Sequence, residues 1–324
     1  MSRIFVVITI LFLSMSSLSA QSISDDEIKK VSAELTKAYS AKNYDEALIA
    51  ANKIVELSVA KFGKQDLATA KALKNRGFVE AAKGDAKSAE NSLEDAADIF
   101  RKQTTLSKAD AGNFAELLES LAGLKMKRDL LLGEGLLKEA IEQREKSEPN
   151  SASMGFALAS LANINFWKRD YKKSAEQYDR ALQTYSASKT TDLPDFTTAF
   201  YRARCTYRKA KMDAEFEALK TAHGFKAEFF GGKPAPGKAR LINGGVINGK
   251  ALNLAQPRYP AEARQANAEG TVDVEVLLGE NGEVISACTS KAQHTSLAEA
   301  AEIAADNSKF APTTLQGNPV KVTG

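Results

Sequence analysis

Four stretches of this 324-residue chain resemble one another at nearly constant spacing. They are "KNYDEALIAANKIVEL" from Lys42, "GDAKSAENSLEDAADIF" from Gly84, "RDLLLGEGLLKEAIEQ" from Arg128 and "RDYKKSAEQYDRALQTY" from Arg169. Each sets Asn or Asp at a helix start, at Asn43, Asp85, Asp129 and Asp170. Such side chains accept from the free amides of a first helical turn. A weaker fifth start is Asp213, and the successive intervals are 42, 44, 41 and 43 residues. From Asp25 to about Phe230, Pro is rare and apolar residues recur three and four apart, which reads as helix. A helix pair repeated at this period cannot bury its apolar face alone. It is stable only as a stack, which predicts a mostly α chain with a solenoid over residues 25–230.

The second helix of each unit carries a small residue, a bulky one four on, and Ala three later. These are Ser174-Tyr178-Ala181, Ala89-Leu93-Ala96 and Gly133-Leu137-Ala140, while Ala47-Ala51-Ile54 departs at its second and third places. Gly77 and Ala162 stand where the paired helices would cross; Leu35 and Leu121 depart there. On these residues the array resembles tetratricopeptide repeats (TPR), in the longer-period variety of kinesin light chains. The resemblance implies packing chemistry and a groove that holds a peptide or a partner helix, with a mere spacer as the alternative. Phe166, Trp167, Tyr171 and Tyr178 read as core rather than as a ligand platform.

The amino terminus reads as a targeting segment over residues 1–20. Arg3 precedes the apolar run "IFVVITILFL" and the small, polar "SMSSLSA". Ten apolar positions fall short of the ~20 needed to span a bilayer. A cleaved signal with the cut after Ala20 is expected, giving a periplasmic protein; the alternative is an uncleaved inner-membrane anchor facing the periplasm. Export permits a disulfide, but Cys205 and Cys288 fall in different predicted domains and read as two small buried hydrophobes.

Net charge is +3, and from Leu241 onward 6 Lys+Arg stand against 9 Asp+Glu, with no run of like charge. A mixed solvated surface, not a nucleic-acid partner, accounts for this. "GGKPAPGKARLINGGVINGKA" contains G-x-x-x-x-G-K twice, from Gly232 and from Gly244. A phosphate loop needs successive free amides and a Ser or Thr after the Lys. Pro234 and Pro236 remove two amides from the first match, Val246 and Ile247 occupy the second, and both end in Ala. No nucleotide site is expected. Residues 231–240 read as a Gly/Pro linker, and "VINGKAL" as a first strand with an Asn248-Gly249 turn.

Residues 241–324 predict a small α+β unit. Pro260 opens a short helix, Ala261 to Ala266. Val272, Val274, Val276 and Leu278 alternate as one strand face, and Asn281-Gly282 turns the chain into a second strand, Val284 to Ser290. A helix follows from Ser296 to about Asn307, capped by Ser296 and Glu299, with Leu297, Ala300, Ile303 and Ala304 as its buried stripe. Gln256-Pro257-x-Tyr259-Pro260, Gly270-Thr271-Val272, Asn281-Gly282-x-Val284, Phe310-x-Pro312 and Gly317-Asn318-Pro319-Val320 occur in this order. By them the segment resembles the carboxy-terminal domain of the TonB energy-transducer family. The resemblance implies a domain that grips an extended segment of an envelope or outer-membrane protein by strand addition, with Gln256, Pro257, Tyr259 and Pro260 near the contact. For Tyr259 and Pro260 a hydrophobic corner that fixes the helix start is the alternative. The chain departs from the family in its short leader, its short spacer and its ending "GNPVKVTG", where the family continues through a last strand. His223 and His294 are the only histidines and lie in different predicted domains, so no catalytic residue, metal site or cofactor is expected. The functional expectation is a non-enzymatic interaction protein, with a membrane-anchored energy transducer for receptor-mediated transport as the alternative.

Overall fold

The computed structural model describes residues 23–191, 194–224, 241–245, 247, 251–315 and 317–324. The expected signal, the 231–240 linker and the Asn248-Gly249 turn lie outside these residues. The chain forms two compact units, dividing between Ile99 and Phe100.

In the first unit α1 (Asp25–Ser40), α2 (Tyr44–Phe62) and α3 (Leu67–Lys83) pack in succession, and α4 (Ala86–Arg101) begins. Asn43 caps α2, accepting from Glu46 N–H at 3.5 Å, and Asp85 accepts from Ser88 N–H at 3.1 Å. Gly84 ends α3 at φ 93°, a left-handed conformation that a side chain would strain. The motif residues Ala47, Ala51, Ile54, Ala89, Leu93 and Ala96 are all buried. Gly77 is needed because a Cβ there would sit 2.7 Å from Cγ of the buried Leu93.

The second unit contains α5 (Lys108–Met126), α6 (Leu132–Ser147), α7 (Ala152–Trp167), α8 (Tyr171–Ala187), α9 (Pro194–Lys209) and α10 (Asp213–Ala222). Asp170 caps α8 as expected, accepting from Lys173 N–H. Two expected caps are corrected. Asp129 accepts from Leu131 N–H, but α6 begins three residues on, behind Leu131. Asp213 is the first residue of α10, whose cap position is Met212 with no side-chain bond. Small residues work as the repeat pattern predicts: Ser174, Tyr178 and Ala181 are buried, and the Ser174 hydroxyl donates to Ala162 O at 2.7 Å across the helix crossing. The core here is aromatic and aliphatic, built from Tyr178, Leu182, Tyr185, Phe196, Phe200 and Phe216. Each such side chain stabilises by roughly 1.5–3 kcal/mol when fully buried. Trp167 departs from the core reading, since it is 50% exposed.

The sheet of the second unit comprises β1 (Leu241–Asn243), β3 (Asp273–Leu278), β4 (Val284–Lys291) and β7 (Asn318–Thr323), in the order β1-β7-β3-β4. β6 (Thr313–Leu315) pairs with β7 as well, and β2 (Ala251–Asn253) pairs separately with β5 (Lys309–Phe310). β1 runs parallel to β7; the other pairs are antiparallel. Strand pairing therefore starts at Leu241, ahead of "VINGKAL", and residues 318–323 form a strand inside the sheet. The β3–β4 hairpin turns as expected, with Gly279 N–H donating to Glu283 O at 2.8 Å. Gly282, at φ 77°, is packed against the Phe310 carbonyl, leaving no room for a Cβ.

Val274, Val276 and Leu278 share one sheet face with Ala287, Val320 and Val322, over Ile247, Phe310 and Ala305 of α12 (Thr295–Asp306). The other face carries Glu275, Leu277, Ser286, Cys288 and Lys321. The helix α12 is shifted from expectation. His294 takes the cap, its Nδ1 accepting from Ser296 N–H at 3.3 Å, while Glu299 pairs with Arg169 at 3.1 Å. Its buried residues are Ala298, Glu302 and Ala304, and Ile303 is 55% exposed.

Candidate functional site

Strand addition requires a free ladder of backbone groups, so the site is built by following each sheet edge. On β7 the outer ladder is taken by the chain itself: Leu241, Ile242 and Asn243 pair with Lys321, Val322 and Thr323. On β4, Val276 faces Ala287 across the hairpin while Val276 exchanges both its bonds with Gly324, at 2.9 and 3.2 Å. By antiparallel alternation, Ala287 and Thr289 then point their N–H and C=O outward.

Helix α9 and helix α12 cover that outward edge. Arg202 Nε and Nη2 both donate to Ile285 O, at 3.1 and 3.0 Å, and Arg208 Nη1 donates to Thr289 O at 2.9 Å. Thr289 N–H donates to Glu302 Oε1 at 2.8 Å, and Lys209 pairs with Glu302 at 2.6 Å. Across the sheet face, Arg204 pairs with Glu275 at 2.5 Å and Lys321 Nζ donates to Thr198 at 3.4 Å. Residues 198, 201, 204/205 and 208 lie three or four apart, hence on one side of α9. On that side Cys205 is bonded to Cys288, with Cα atoms 5.5 Å apart. The expectation of two unlinked thiols is therefore corrected: both are buried, but the α9 face brings them together. Among the described residues, Glu302 is the metal-type donor grouped with them, and with the sulfurs joined the trio offers no thiolate pair for a metal.

The energetics of this seam are uneven. Half-buried ion pairs that water still reaches, such as Arg204–Glu275, contribute ~0.2–1 kcal/mol each. A bond joining residues 83 apart removes loop-closure entropy from the unfolded chain equivalent to about 4–5 kcal/mol. Burial pushes the Asp306 carboxyl up to about 6 against the opposing pull of Arg202, with Glu302 adding to the rise. Burial likewise lowers the Lys321 ammonium.

Among the described residues, one ladder position has no strand beside it. β7 pairs with β3 as far as Val276, and Val274 presents its N–H and C=O to the same side, where no strand lies among the described residues. That gap opens on a groove of about 840 Å³. It is lined by Val272 and the start of β3, by Leu254, Ala255, Gln256 and Pro257, by the apolar Phe310 and Ala304, and by Tyr201 and Arg204 of α9.

The structure thus separates the predicted site residues. Gln256 and Pro257 line the groove, exposed. Tyr259 does not: its hydroxyl donates to Ala268 O at 2.6 Å, closing the corner ahead of α11 (Ala261–Gln265). Pro260 occupies the cap position of that helix at φ −69°. Sequence reasoning missed Tyr201 and Arg204. Their only sequence signal is helical spacing around Cys205, and nothing local ties them to a strand some seventy residues away. His294 is a helix cap and His223 ends α10. Among the described residues no helix is long and apolar enough to cross a membrane.

Comparison with known proteins agrees with this geometry. Residues 255–324 match the model of the Gram-negative bacterial TonB protein C-terminal domain, and residues 38–102 match a tetratricopeptide repeat model. No curated protein matches the chain. Among solved structures, BtubC (BKLC) from P. vanneervenii superposes with a TM-score of 0.51 at 17% identity, covering 65% of this chain and 84% of that one. Kinesin light chain TPR-like repeats from Podosopora anserina align with a TM-score of 0.48 at 13% identity, over 61% of this chain and 93% of theirs. The chain accordingly joins a TPR-like helical array to a segment that matches the TonB carboxy-terminal family.

Proposed function

We propose that the protein is a non-enzymatic interaction protein of the cell envelope whose β3 groove accepts an extended segment of another envelope protein. The Val274 backbone, with no strand beside it among the described residues, in a groove also lined by Gln256 and Pro257, is the observation that supports this reading. A segment laid beside β3 satisfies that N–H and C=O and sends alternate side chains to the two faces. One set meets Ile247, Phe310 and Ala304; the other meets Tyr201 and Arg204. Domain limits of 25–230 for the repeats and 241–324 for the binding domain fit this reading, with the signal at 1–20 directing export to the periplasm. The repeats then act as a docking scaffold for a peptide or helix. A role in receptor-mediated transport is the alternative for the same groove.

The test places a photo-crosslinking amino acid at Asp273, in the groove wall, in the full-length protein expressed in its own cell. Adducts with one defined, extended segment of an envelope protein are expected, lost on Gln256→Trp and absent with the crosslinker moved to exposed Lys53. Adducts equal at both positions, or none at Asp273, would overturn the proposal.

A further inference from the structure

We propose that the Cys205–Cys288 bond is a redox latch: it holds α9 on the sheet and thereby keeps the β4 edge closed, and its reduction releases that edge. The inference is independent of what enters the groove.

It follows from the uneven chemistry of the seam. Apart from the bond, the polar contacts of α9 are Arg202, Arg204 and Arg208 against carbonyls and a carboxylate of the sheet, and Lys209 against Glu302 of α12. Water replaces such partners readily, so these contacts alone give a seam that opens and recloses. The seam is also incompletely filled. A cavity of about 210 Å³, bordered by Trp167, Arg202, Ile285 and Asp306, reaches Cys205. A much smaller one touches both cysteines from the other side. The sulfurs are buried, yet a small thiol reaches them through the larger cavity or during brief lifting of α9.

The chemistry is thiol–disulfide exchange with a dithiol reductant. One reductant thiolate attacks a sulfur of the bond and displaces the other cysteine as thiolate. The second reductant thiolate then resolves the mixed disulfide. Two electrons pass from the dithiol to the protein, two protons end on Cys205 and Cys288, and the reductant leaves as its own disulfide. With the bond gone, Ile285 O and Thr289 O lose their fixed partners on α9, and Tyr201 and Arg204 leave the groove wall.

Amide hydrogen exchange on the full-length protein, before and after treatment with dithiothreitol, tests this without any partner. Reduction is expected to speed exchange roughly tenfold or more at the outward-pointing, buried Ala287 amide and along α9, with α5 to α8 unchanged. The Cys205→Ser/Cys288→Ser variant should exchange like the reduced protein in the absence of reductant. Arg202→Ala, bond intact, should stay protected. The latch is refuted if both thiols become alkylatable while β4 and α9 stay protected, or if α5 to α8 lose protection together with the seam. It is equally refuted if Arg202→Ala opens β4 as far as reduction does, or if the air-oxidised protein contains two free thiols.

Discussion

The α7–α8 contact and the α9–β4 seam each press one element onto another, with opposite chemistry. Between α7 and α8 lie the buried Leu158, Ala162, Ala175, Tyr178 and Leu182, with the Ser174 hydroxyl bridging to a carbonyl and Asn165 donating to Gln177. Between α9 and β4 lie guanidinium groups, carboxylates and one covalent bond. The first contact is held by area removed from water and has no setting in which it lets go short of unfolding. The second is held by geometry and a bond that ordinary redox chemistry can break. Two helices adjacent in one compact unit are therefore fastened by different means, and only one fastening is conditional.

The largest expected effect would break the apolar side of the comparison. Leu182→Ala should cost about 2–5 kcal/mol, seen as a lowered thermal midpoint by circular dichroism, because a fully buried side chain leaves a cavity. A loss under ~1 kcal/mol would mean that the helix contact is no better packed than the seam.

Next comes Asp306, with the opposite sign. Its folded pKa lies near 6, above the ordinary 3.8, so its protonated form is the favoured one in the fold. The stability it contributes is complete below about pH 4 and is lost as pH rises through about 6. Asp306→Asn should therefore raise stability near pH 7, by at most about 3 kcal/mol, and flatten the change between pH 4 and 6. Chemical denaturation across that range reads it; an unchanged slope would show that the seam hydrates this carboxyl.

Smaller again is Asp170→Ala, which should cost ~1 kcal/mol through the lost cap of α8 and leave the seam untouched. Smallest is Arg204→Ala, under about 1 kcal/mol and fading with added salt. A larger, salt-independent loss would move the seam's strength from the bond to its ion pairs.

What was legible in the sequence divides along the same line. Helix pairs, their caps and the small residues at crossings depend on neighbours three or four positions away, so spacing together with the repeat-family pattern pointed to Ser174, Tyr178 and Ala181. The β3–β4 hairpin was equally local, through Asn281-Gly282. The register of α12 was misjudged because His294 can cap a helix through Nδ1, which moved the buried side onto Ala298 and left Ile303 outside. Cys205 with Cys288, and Tyr201 with Arg204, were invisible for another reason. Their meaning depends on which face of α9 meets a sheet that begins after the linker, and no periodicity encodes a contact over eighty residues. Gln256 and Pro257, expected near the contact through family likeness, line the groove, whereas Tyr259 bonds to Ala268 and Pro260 caps α11.

The covering of β4 by α9 also bears on solubility. An eight-residue border strand with bare amides invites a neighbouring molecule to zip on, and repeated additions grow sheets without limit. Here arginine forks and a glutamate fill the hydrogen-bonding slots that such growth would use, so the oxidised molecule can be concentrated without polymerising from that side.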